Sequence, residues 1–94
     1  MDKEPIELID RRVAQRIRTR RIDRGITLQA LARQIGVAFQ QAHKYERGLS
    51  RISAGRLYHV ACALETPIGF FFAAEAGERG EPADNTAAGT TRTE

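Results

Sequence analysis

Leu28, Leu31, Ala32 and Ile35 fall at i, i+3, i+4 and i+7, and Leu57, Val60, Ala61 and Leu64 repeat that spacing. Each set draws one apolar stripe along a helix. Thr27 stands where an N-cap is needed before the first stripe, and Gly36 can close it in the left-handed conformation. Ser53 is placed to cap the second stripe. Thr66-Pro67 opens another short helix, with Pro at its first position and Ile68, Phe70, Phe71 and Phe72 behind it. No segment sustains the period-two alternation of a half-buried strand. The pattern predicts an all-α chain of five helices, over about 10–24, 28–35, 39–47, 54–64 and 67–73.

Beyond Ala76 there is no Leu, Ile, Val or aromatic residue. Such a segment buries too little apolar surface to offset its ordering entropy, so residues 76–94 are expected to be a disordered tail. Residues 9–75 form the expected domain, and residues 1–8 a flexible arm. A chain of 94 residues holds one core, and a core this small gains from dimerisation. No apolar run approaches the ~18 residues that span a bilayer. The acidic start, Met1-Asp2-Lys3-Glu4-Pro5, lacks the apolar stretch of a secretory signal. The lone Cys62 excludes an internal disulfide. A reducing cytoplasm is the expected compartment.

Charge changes the picture. The net +3 divides into −2 over residues 1–9, +9 over residues 10–60 and −4 over residues 61–94. The middle of the chain can attract a polyanion, although a basic helix face is as often only solvated.

The two stripes frame a motif. Helices 28–35 and 39–47 are separated only by Gly36-Val37-Ala38, a short Gly-containing turn between short helices. Ala32 is small where the helices cross, Val37 plugs the core under the turn, and Ala42 and Tyr45 form the inner face of the second helix. The run from Thr27-Leu28 through Leu31-Ala32 and Ile35-Gly36-Val37 to Gln40-Gln41 and Lys44-Tyr45-Glu46-Arg47-Gly48 resembles the Cro/cI-type (XRE) helix-turn-helix transcriptional regulators. Arg51-Ile52-Ser53-Ala54, Arg56-Leu57-Tyr58 and Pro67 to Phe72 resemble a bacterial branch of that family. The resemblance covers about residues 9–73 and implies a compact five-helix, phage-repressor-like DNA-binding domain, usually dimeric on a double-stranded operator.

At about 100° per residue, with Phe39 at zero, Ala42 points to about 300° and Tyr45 to about 240°, defining a buried side. Gln40, at about 100°, and Lys44, at about 140°, face away from it, with Gln41 at the edge at about 200°. Gln can pair with adenine N6 and N7, and Lys with guanine O6 and N7. In a recognition helix of this family, Phe39, Gln40, Gln41 and Lys44 are therefore the candidate base readers. Phe39 can touch a thymine methyl or pack toward the preceding helix. Glu46, at about 340°, points inward, and Arg21 lies between the inward directions of Ala14 and Ile17 on the first helix. Buried charges need partners, and the family carries an Arg–Glu pair at these positions.

The family's approach to the DNA backbone implies phosphate roles for Thr27, Gln29, Arg33, Arg47, Ser50 and Arg51. Arg11, Arg12, Arg16, Arg18, Arg20 and Arg24 are read as a largely solvated face. One departure is Ala38, where the family commonly has a capping Ser or Thr. An enzyme is not expected. His59 and Cys62 share an i, i+3 spacing but lack further ligands, and Cys62, beside Val60 and Ala61, is read as a buried structural thiol. No cofactor, metal or small-molecule site is expected. The second reading is an antitoxin or co-regulator module whose main partner is another protein, using the Ile68–Phe72 cluster.

Overall fold

The computed structural model describes residues 3–73. Among them are four α-helices, α1 (Ile6–Asp23), α2 (Leu28–Ile35), α3 (Phe39–Arg47) and α4 (Ala54–Ala63), and a 3-10 helix (Ile68–Phe72). The expected tail, residues 76–94, lies outside the described residues. The central boundaries follow from local chemistry. Thr27 Oγ1 accepts from the Ala30 amide at 3.0 Å and Ser53 Oγ from the Arg56 amide at 3.1 Å, capping α2 and α4. Gly36 (φ 76°) and Gly48 (φ 73°) end α2 and α3 in the left-handed region. Ala38, at the N-cap of α3, makes no side-chain cap.

The first and last helices differ most from the sequence pattern. The first helix begins at Ile6, so residues 6–8 are its first turn rather than part of a flexible arm. Pro5 sets the extended entry, and its carbonyl accepts from the amides of Leu8 and Ile9. Ile6 and Leu8 are exposed, so this turn carries no inward stripe to reveal it. The fifth helix is a 3-10 helix rather than an α-helix. Its bonds run over three residues, from the Phe70 amide to the Pro67 carbonyl and from the Ala73 amide to the Phe70 carbonyl.

The core is a single cluster of Val13, Ile17, Leu31, Ile35, Leu57, Val60, Ala61, Leu64 and Phe71, with Val37, Tyr45 and Ile52 packed at its margin. α2 packs against both α3 and α4, while α1 packs against α3 and the 3-10 helix. Phe71 is fully buried and Phe72 is 46% exposed, so the phenylalanine cluster divides between core and surface. Cys62 is exposed, which corrects its reading as a buried thiol. Taking Leu57 as zero, it projects at about 140°, outside the stripe that holds Val60, Ala61 and Leu64.

The arginines of α1 also need correction, because four of them are structural rather than simply solvated. Arg12, Arg16, Arg20 and Arg24 recur every four residues and meet the returning chain. Arg12 donates to the Phe72 carbonyl (3.2 Å) and Arg16 to the Ala73 carbonyl (2.8 Å). Arg20 donates to Thr66 Oγ1 (2.8 Å), and Arg24 to the Leu64 carbonyl (2.9 Å) and the Glu65 carboxylate (2.9 Å). The Phe70 ring lies against the guanidinium groups of Arg16 and Arg20, at 4.8 and 5.5 Å. Arg12 also forms a two-point pair with Glu4, which ties down the start of α1.

Arg21 and Glu46 form a second two-point pair, Nε to Oε2 at 2.6 Å and Nη2 to Oε1 at 3.0 Å, with the Glu46 side chain only 3% exposed. Arg21→Ala should lower stability by roughly 3–5 kcal/mol, because it leaves a buried carboxylate unpaired. The joint change Arg21→Met with Glu46→Leu should return most of that loss in urea melts; a negligible effect of Arg21→Ala would show the carboxylate to be solvated. Ala38→Ser should raise stability by about 1 kcal/mol by capping α3, measured the same way.

Candidate nucleic-acid interface

α2, the Gly36-Val37-Ala38 turn and α3 form a helix-turn-helix unit. The turn is closed by two backbone bonds, from the Val37 amide to the Ala32 carbonyl (3.0 Å) and from the Gly36 amide to the Arg33 carbonyl (3.3 Å). Arg56 of α4 adds a third fastening, its Nη1 donating to the Ile35 carbonyl at 2.6 Å. No local sequence signal marks that role, since its acceptor is a backbone oxygen 21 residues away.

Ala42 and Glu46 hold α3 inward, with Tyr45 half-buried beside them. The opposite face presents Gln40, His43, Lys44 and Arg47 to solvent. Gln41 is half-buried at its edge, and Phe39, at the first position of α3, is 49% exposed. Thr27, Gln29 and Arg33 are exposed on α2. Thr27 spends its oxygen on the Ala30 amide, leaving its hydroxyl proton to donate elsewhere.

Ser50 is half-buried in the α3–α4 loop, and Arg51 is exposed there. Arg51 does not stand alone: its Nε donates to Asp10 Oδ2 of α1 at 2.9 Å. The sequence pattern does not single out Asp10, because the two residues are 41 positions apart. Arg33, Lys44 and Arg47 have no ion-pair partner among the described residues. The face is thus cationic, with an amide and an ammonium one helical turn apart, and its scaffold is held from behind by Arg21–Glu46 and Arg56. Among the described residues, no group of three or more His, Cys, Asp or Glu side chains is placed to hold a metal ion. No helix among them is long and apolar enough to cross a membrane.

The helix-turn-helix family profile matches residues 17–71. The chain is 51% identical over 81 residues to an uncharacterized transcriptional regulator in the ATPase CF(0) region of Rhodospirillum rubrum, covering 86% of this chain and 73% of that protein. It is 40% identical over 72 residues to an HTH-type transcriptional regulator of Sinorhizobium medicae, covering 77% of this chain and 52% of the relative. The crystal structure of the clp gene regulator ClgR from Corynebacterium glutamicum superposes with a TM-score of 0.66 at 28% identity, over 73% of this chain and 71% of ClgR. The hypothetical transcription factor NHTF from Neisseria shares the fold, with a TM-score of 0.68 at 23% identity over 83% of this chain and 91% of NHTF. The chain belongs to the helix-turn-helix family, in the Cro/cI-type (XRE) group that residues 27–48 resemble.

Proposed function

We propose that the chain is a sequence-specific transcriptional regulator that binds a double-stranded DNA operator as a homodimer, with α3 in the major groove. The observation that carries this reading is the outward face of α3, where Gln40 and Lys44 stand one turn apart while Ala42 and Glu46 lock the opposite side into the core. Gln40 suits an adenine edge and Lys44 a guanine edge. Phe39 and Gln41 extend the same reading surface, Phe39 through thymine methyl groups. Arg33, Arg47, Ser50 and Arg51 meet phosphates around it. Thr27, Gln29 and the free amides opening α2 receive another phosphate, where the helix dipole favours an anion. Regulators of this family rather than enzymes are what the chain resembles in sequence and fold. Its place of action is the cytoplasm, on the nucleoid.

Dimerisation is supported by the small core and by Ile68 and Phe72, two large apolar side chains left exposed on the 3-10 helix. That surface is also what favours the second reading, a module whose main partner is another protein. Fully buried Phe71 takes no direct part in either contact.

Gln40→Ala and Lys44→Ala should each reduce discrimination between cognate and scrambled duplexes by about 1–3 kcal/mol. Arg47→Ala should weaken binding to both alike and lower the slope of log affinity against log salt by about one. Titration of labelled duplexes at several salt concentrations checks both, and full discrimination in the Gln40 and Lys44 variants would reverse the assigned roles. Phe72→Ala should leave the fold intact and raise the dimer dissociation constant, measured by sedimentation. A dimer unaffected by Phe72→Ala places the interface elsewhere.

A further inference from the structure

We propose that Asp10 is a positioning residue for nucleic-acid binding: it holds the Arg51 guanidinium so that the two terminal nitrogens face a phosphate. The inference rests on the DNA reading above and adds a residue of α1, outside the helix-turn-helix unit, to its machinery.

The form of the contact carries the proposal. Glu46 takes Nε and Nη2 of Arg21, and Glu4 takes both terminal nitrogens of Arg12. Each of those carboxylates occupies a full edge of its guanidinium. Asp10 takes only Nε of Arg51, at 2.9 Å. Nη1 and Nη2 of Arg51 have no partner among the described residues. One bond at Nε restricts the rotation of the planar group, while the free edge keeps the fork geometry that grips a phosphate at two points.

Fold stability does not account for the pair. The Arg51 side chain is 70% exposed, and ion pairs that open to water contribute little. General electrostatics does not account for it either. A carboxylate beside a phosphate-binding arginine repels the polyanion, so on charge alone this position should be neutral or basic. The other phosphate candidates with a cationic side chain, Arg33 and Arg47, carry no such carboxylate. Orientation explains a single bond at Nε, where competition for the arginine would favour a two-point grip. Asp10 sits on a rigid helix, whereas Arg51 lies in the α3–α4 loop, so the ordering runs from helix to loop.

The sign of the effect decides the matter. A cognate duplex is obtained by selection from random sequence with the whole chain. Binding of that duplex is then titrated with the parent, Asp10→Ala, Asp10→Asn, Arg51→Ala and the Asp10→Ala/Arg51→Ala double variant, at two or more salt concentrations. Asp10→Ala should bind roughly three- to tenfold more weakly, the cost of ordering one long side chain at the moment of binding, although it removes a negative charge. Asp10→Asn keeps a carbonyl oxygen for Nε and should bind within about twofold of the parent. In the Arg51→Ala background, Asp10→Ala should produce no further weakening. Asp10→Ala binding as tightly as the parent or more tightly overturns the proposal, as does equal weakening with and without Arg51. Thermal melts of Asp10→Ala should match the parent, which separates orientation from loss of fold. Failure of the parent chain to select any duplex overturns the DNA reading itself, and the role of Asp10 with it; selection by the parent with an unweakened Asp10→Ala overturns only the latter.

Discussion

One guanidinium holds the recognition unit in place. Arg21 leaves α1 and meets both carboxylate oxygens of Glu46 in α3, while its remaining terminal nitrogen donates to the Ile26 carbonyl in the α1–α2 connection at 2.8 Å. A single side chain therefore fixes α3, α1 and the approach to α2. Glu46 is nearly inaccessible to water, so α3 cannot rotate about its axis without stranding a charge. Such a rotation would also pull Ala42 from the core. The outward direction of Gln40 and Lys44 is thus a consequence of what α3 buries. The pair's worth lies in orientation, since a well-packed apolar replacement of both residues would hold the fold about as well.

The returning chain is held by a different device. After α4 the backbone passes Glu65, whose φ of 51° occupies the left-handed region that Gly36 and Gly48 fill at the ends of α2 and α3. Arg24 grips this turn through the Leu64 and Glu65 carbonyls and the Glu65 carboxylate. Charge-assisted bonds to the Leu64 and Glu65 carbonyls offset the strain of a side chain in that conformation. From there Arg20, Arg16 and Arg12 carry the 3-10 helix along α1, with Phe71 turned into the core. A five-residue helix has little stability of its own, so these lateral contacts and the burial of Phe71 define its position.

What is legible in the sequence is what depends on near neighbours. Thr27, Gly36 and Ser53 act within three residues of themselves, and their caps and turns follow from the pattern. The rotation of α3 is equally readable, because Ala42 and Tyr45 mark its inner side and the exposure of Gln40 and Lys44 then follows. Cys62 misleads because adjacency to Val60 and Ala61 in sequence is not adjacency on a helix surface. The start of α1 is hidden because Ile6 and Leu8 remain exposed and leave no inward stripe. The arginine contacts are illegible for a deeper reason. Arg12, Arg16, Arg24 and Arg56 bond to backbone carbonyls between 21 and 60 residues away, and a carbonyl looks the same at every position.

This bears on how the charge of the chain is read. Between residues 10 and 60 there are twelve basic residues, an excess that on its own points to a polyanion. Seven of them, Arg12, Arg16, Arg20, Arg21, Arg24, Arg51 and Arg56, are engaged by carboxylates, carbonyls or a hydroxyl within the domain. Six of these seven serve the fold, while Arg51 keeps its two terminal nitrogens free, so the net charge overstates what is available to a ligand. Three of the remainder, Arg33, Lys44 and Arg47, lie on the helix-turn-helix unit, while Arg11 and Arg18 lie on α1. The unengaged cations of α2 and α3 coincide with the face that the buried Glu46 turns outward. That coincidence of free charge with fixed orientation is a more specific argument for a nucleic-acid surface than the count of basic residues.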